Sequence, residues 1–200
     1  INTNLMKLAI YQMKKKKLKY WERLNGKKIK TCVFISGNGS NLNSLINYSR
    51  NYNFPIKIVL VISNNQKAKG LSIAKKYGIP TKFFSSNNKK KFERSCLLEL
   101  KKNMIKFLCL AGFMNILSKN FINNFRYKIV NIHPSLLPKY KGLNTHIRVL
   151  KNNEKYSGCT VHFVNNKLDS GKIILQKKVL IDPKETVKSL KLKILRKEHD

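Results

Sequence analysis

The sequence predicts an α/β fold, a mostly parallel sheet with helices on both faces. Two observations carry that prediction. Short apolar runs recur along the chain without alternation, at Thr31 to Ser36, Ile56 to Ser63, Ile105 to Ala111 and Lys128 to Ile132. Such runs suit strands buried on both faces, which is the situation in a parallel sheet. Segments with helical periodicity separate them, as crossover connections require.

Taken in order, the first run stops at Gly37-Asn38-Gly39, where Ser40 or Asn41 is placed to cap a helix. That helix carries Leu42, Leu45 and Ile46 on one face. After the second run, a helix over Ala68 to Tyr77 closes at Gly78-Ile79-Pro80. Phe92 to Lys102 reads as helix before the third run, and Ile116 to Phe125 as a short helix before the fourth. Beyond Pro138 the pattern changes. Thr145 to Lys151 is expected to be helical, and Val161 to Val164 and Ile173 to Ile181 to be strands. Glu185 to Glu198 is an amphipathic helix with Val187, Leu190 and Ile194 on one face, expected to be cut short at Asp200.

Residues 1–28 stand apart from residues 29–200, which form the expected single domain. They carry the run Lys14 to Lys17 and are expected to be a basic, poorly ordered extension. No apolar run approaches the ~20 residues needed to cross a bilayer. The cysteines Cys32, Cys96, Cys109 and Cys159 have no Cys-x-x-Cys spacing, and three lie in apolar runs. They read as reduced core residues of a cytoplasmic protein.

The formal charge of +33 raises the question of a nucleic-acid partner. Only 6 of the 42 basic residues are arginine, whose planar fork base and phosphate recognition favours. The charge is also spread along the chain, in a composition rich in lysine, asparagine and isoleucine, which points to coding bias rather than a binding face. The field still attracts phosphorylated small molecules.

Chemistry concentrates between Asn131 and Gln176. Asn131-Ile132-His133-Pro134-Ser135 supplies an amide and an imidazole, and Leu168-Asp169-Ser170-Gly171 supplies a carboxylate. An amide that steadies an oxyanion, an imidazole that shuttles a proton and an acid that orients it are what acyl transfer needs. The loop Ser36-Gly37-Asn38-Gly39-Ser40-Asn41 joins the first strand to the first helix and can cradle an anion on its N–H groups. Leu42 stands where a dinucleotide fingerprint needs its third glycine, so a single phosphate is the better fit. His133, His146 and His162 lack metal-ligand spacing, and no metal is expected.

Together with Leu110-Ala111-Gly112-Phe113-Met114-Asn115-Ile116-Leu117, these motifs resemble the phosphoribosylglycinamide formyltransferases over about residues 29 to 199. The resemblance implies a Rossmann-like formyltransferase fold. It also implies transfer of the formyl group of 10-formyltetrahydrofolate to the amino group of 5-phosphoribosylglycinamide, in purine (IMP) biosynthesis. By the same resemblance, Gly39, Ser40, Asn41 and Glu198 would bind the ribonucleotide. Lys89, Met114, Asn115, Ile116, Leu117 and Asn131 would bind the formylfolate. Asn131 would donate to the formyl oxygen, His133 would move the proton, and Asp169 would hold His133 in its charged form and fix a water. His162 would support the site. The family usually has arginine at Asn115 and often at Lys89, and glutamine at Leu195. The alternatives are methionyl-tRNA formyltransferase, formyltetrahydrofolate hydrolase, or a non-catalytic module binding nucleotide or nucleic acid.

Overall fold

Seven strands form one sheet in the order β3-β2-β1-β4-β5-β6-β7 in a computed structural model that describes residues 5–15 and 28–199. The strands are β1 (Ile29–Ile35), β2 (Ile56–Ser63), β3 (Thr81–Phe83), β4 (Phe107–Leu110), β5 (Lys128–His133), β6 (Tyr156–Phe163) and β7 (Ile173–Leu180). The first five run parallel; β6 and β7 are antiparallel to their neighbours. The helices are α1 (Leu5–Lys15), α2 (Ser40–Ser49), α3 (Lys69–Lys76), α4 (Lys89–Lys102), α5 (Lys119–Asn124), α6 (Thr145–Lys151) and α7 (Val187–His199).

The strand pleat divides the core into two layers. On β1, Val33 and Ile35 face α1, α2, α3, α6 and α7, and Cys32 and Phe34 face α4 and α5. Both faces of the central strands are therefore apolar, which explains the unbroken runs in the sequence. All four cysteines are free and buried. Burial pushes the Cys159 thiol up to about 12. Among the described residues no helix is long and apolar enough to cross a membrane.

The structure departs from the sequence reading in several places. Helix α2 begins at Ser40 with Gly39 as its cap in the left-handed region (φ 74°), and no side chain caps it. Asn41 is instead drawn away to Glu198. Helix α5 starts after Ser118, whose side chain accepts from Phe121 N, so Ile116 and Leu117 stay in the preceding loop. Strand β6 begins five residues earlier than expected. A Cβ on Gly158 would lie 2.0 Å from Lys177 O, so glycine is what admits β7 there. Strand β3 was not legible: it is three residues long, at the sheet edge and partly exposed. Val187 is 41% exposed, so only Leu190 and Ile194 of the expected stripe on α7 face the core.

The largest departure is at the N-terminus. Leu5–Lys15 does not form a loose extension but a helix, with Leu5, Met6, Ala9, Ile10 and Met13 at 0–3% exposure. Their spacing is that of one helical face, a signal masked by the lysine run that follows. The remainder of that extension, residues 1–4 and 16–27, lies outside the described residues.

Candidate active site

The strand order reverses between β1 and β4, and a crevice opens beyond the carboxyl ends of strands at such a switch point. The loop after β1, the loop after β4 and the end of β5 all meet there. One cavity of about 1060 Å³ is lined by every residue the sequence singled out: Gly39, Ser40, Asn41, Lys89, Met114 to Leu117, Asn131, His133, His162, Asp169 and Glu198.

The glycine-rich loop after β1 is held from below. Gly39 O accepts from Asn43 N at 2.8 Å, and a Cβ on Gly39 would lie 2.5 Å from the Gly70 Cα. Positive φ and close approach both require glycine. Ser36 ties this loop to the next: its hydroxyl donates to Asn64 Oδ1 at 2.6 Å and accepts from Met114 N at 2.8 Å. The sequence reading did not single out Ser36 for this role, because the contact spans 78 residues. Met114 and Ile116 stand exposed on the lip of the cavity, as pocket residues do, whereas Leu117 is 7% exposed and joins the core around α5. Asn115 uses its side chain locally, Oδ1 accepting from Ile116 N at 2.9 Å.

At the end of β5, Asn131 lies opposite His162 on β6 and His133 opposite Thr160. Asp169 projects from the loop between β6 and β7 with φ 42°, a conformation aspartate tolerates better than most residues. Its Oδ2 accepts from Gly142 N at 2.9 Å and lies 3.3 Å from His133 Nδ1; its Oδ1 lies 3.6 Å from His162 Nε2. His133 Nε2 meets Tyr140 O at 2.9 Å. Both ring nitrogens of His133 thus face oxygen atoms, Tyr140 O on one edge and the Asp169 carboxylate on the other. Tyr140 and Gly142 lie in the loop after β5 and act through their backbone, so their roles carry no side-chain signature.

His162 is 2% exposed, and burial holds it below the ordinary histidine range. Its contact with Asp169 is therefore that of a neutral ring, not an ion pair. The Nδ1–H donates to Phe163 O at 2.8 Å, which leaves Nε2 as an acceptor for Asn131 Nδ2 at 3.3 Å. One amide N–H is fixed this way and the other is left for a ligand.

At the opposite end, Glu198 on α7 accepts from Asn41 Nδ2 at 2.8 Å. Burial pushes the Glu198 carboxyl up to about 7, opposed by the Asn41 bond. His146 and Lys191 also line the cavity; burial, then Lys191 and His133, hold His146 below its usual range. Among the described residues no group of three or more His, Cys, Asp or Glu side chains forms a metal site.

A doubly wound sheet with an amide, two histidines and a carboxylate in one cavity, beside the glycine-rich loop after β1, defines a group-transfer enzyme. The chain belongs to the formyl transferase family, which matches residues 29–200. It is 39% identical over 176 residues to the phosphoribosylglycinamide formyltransferase of Haemophilus influenzae, covering 85% of this chain and 82% of that protein. It is 42% identical to part of the human trifunctional purine biosynthetic protein adenosine-3, covering 86% of this chain but only 17% of that protein's length. The crystal structure of phosphoribosylglycinamide formyltransferase from Anaplasma phagocytophilum superposes with a TM-score of 0.82 at 42% identity, over 86% of this chain and 82% of that one.

Proposed function

We propose that this chain transfers the formyl group of 10-formyltetrahydrofolate to the amino group of 5-phosphoribosylglycinamide, a step of purine biosynthesis, in the cytoplasm. The observation that carries this reading is the placing of Asn131, His133 and Asp169 in the same cavity as the phosphate loop. The substrate amine attacks the formyl carbon, a C–N bond forms and the carbonyl oxygen becomes an oxyanion. The free Nδ2–H of Asn131 is the donor that stabilises it, with His133 beside it as the proton-transfer group. Collapse breaks the bond from that carbon to the folate nitrogen, and the proton lost by the amine goes to the leaving nitrogen through a water held by Asp169. Because Tyr140 O occupies Nε2, the edge of His133 that takes part is Nδ1, on the Asp169 side.

The ribonucleotide phosphate is read by Gly39, Ser40 and Asn41, and its other end by Glu198. Formylfolate lies against Met114 to Leu117, with Lys89 at the rim. The test is consumption of 10-formyltetrahydrofolate by the purified chain with and without phosphoribosylglycinamide. Consumption only with the ribonucleotide is the expected result. Equal consumption in its absence would make the chain a hydrolase and overturn the proposal.

A further inference from the structure

Helix α1 lies outside the residues that match the family, yet it is built into the same core. It packs on β6 and β7 and also touches both α2 and α7. Toward α2, Lys7 Nζ sits 4.2 Å from the centre of the Tyr48 ring, and Tyr11 meets Phe54, just past that helix, edge-on at 5.4 Å. Toward α7, the α1 residues Ile10 and Met13 share a core layer with Leu190 and Ile194. These two helices are the ones that meet inside the cavity: α2 carries Asn41, α7 carries Glu198, and their side chains are joined at 2.8 Å.

We infer that α1 is a positioning element of the ribonucleotide end of the site, which by packing on α2 and α7 together fixes the Asn41–Glu198 contact. The formylfolate end rests on the loop after β4, on α4 and on β5, none of which is a principal neighbour of α1. Loosening α1 therefore separates the two substrates: affinity for the ribonucleotide falls, whereas affinity for formylfolate does not. The inference rests on the proposed assignment of Glu198 and Asn41 to the ribonucleotide.

The experiment uses the full chain with Ile10→Ala, alone and combined with Glu198→Gln. Ile10→Ala is expected to raise KM for phosphoribosylglycinamide by about tenfold and to leave KM for formylfolate within about twofold. If α1 acts through Glu198, the effect of Ile10→Ala shrinks below about threefold when Glu198 is already glutamine. Hydrogen exchange should quicken more in α7 than in β1, β4 and β5, whose amides follow only the loss of global stability. Equal effects on both substrates, full additivity of the two substitutions, or no change in either KM would overturn the inference. Should Ile10→Ala fail to fold, Ile10→Val provides a milder perturbation with the same predicted asymmetry. Calorimetric titration with the ribonucleotide reads the α1 effect on binding even if no formyl transfer occurs, so failure of the reaction assignment and failure of the α1 inference remain distinguishable.

Discussion

In the proposed reaction the chemistry turns on Asp169, whose carboxylate lies 3.3 Å from His133 Nδ1 and accepts from the Gly142 N–H. Asp169→Asn keeps the shape and removes the charge; it is expected to lower kcat by about 10²–10⁴ with little change in ribonucleotide affinity, measured by steady-state kinetics and calorimetry. In the same proposal His162 acts through Asn131, which it meets at 3.3 Å. His162→Phe retains the bulk but loses the acceptor, so the amide is free to turn, and kcat should fall by about tenfold to a hundredfold with both KM values preserved. Glu198 makes a pH prediction whose sign can be worked out. Its folded pKa, about 7, is raised above the unfolded value of 4.5, so its neutral form favours the fold. That contribution is complete below pH 4.5 and is lost as pH rises through 7. Glu198→Gln should therefore match the parent in stability at low pH and exceed it above pH 7 by on the order of 2–3 kcal/mol, by urea unfolding at both pH values. No difference between the two pH values would contradict the burial of this carboxylate.

Elements were legible where one signal dominated. The second strand and the helix at Thr145 to Lys151 match the structure in both limits, because an unbroken apolar run and a clear period leave no competitor. The failures have physical causes. Gly39 outdoes two good capping residues because only glycine fits against Gly70 at positive φ. The start of β6 carries Ser157 and Gly158, which lack a strand's apolar signal, although Gly158 is what lets β7 approach. Gly39→Ala should accordingly strain the phosphate loop and raise KM for the ribonucleotide by about tenfold or more, with a smaller effect on formylfolate. In α1, five apolar residues were outweighed by the lysines beside them. Ile10→Ala is expected to cost about 2–5 kcal/mol in unfolding experiments, a loss a loose extension would not show.

At the scale of the whole molecule, the crossover order sets the site: a sheet that reverses between β1 and β4 brings three distant loops to one cavity. Asn131, His133 and Asp169, which the fold brings into one cavity, could be singled out in the sequence because they are side chains in dense motifs. Their supports could not, since Ser36, Tyr140 and Gly142 act through long-range or backbone contacts. The net charge of +33 gives a field that draws anionic substrates to the cavity. KM for the ribonucleotide should therefore rise severalfold from low salt to about 0.5 M while kcat holds. The most direct measurement of the central claim is a single turnover with isotope-labelled formyl on 10-formyltetrahydrofolate, comparing the parent with Asp169→Asn. The account predicts label on the ribonucleotide amine for the parent and transfer slowed by at least about a hundredfold in the variant. Label released as free formate by the parent, or transferred at an unchanged rate by Asp169→Asn, would contradict it.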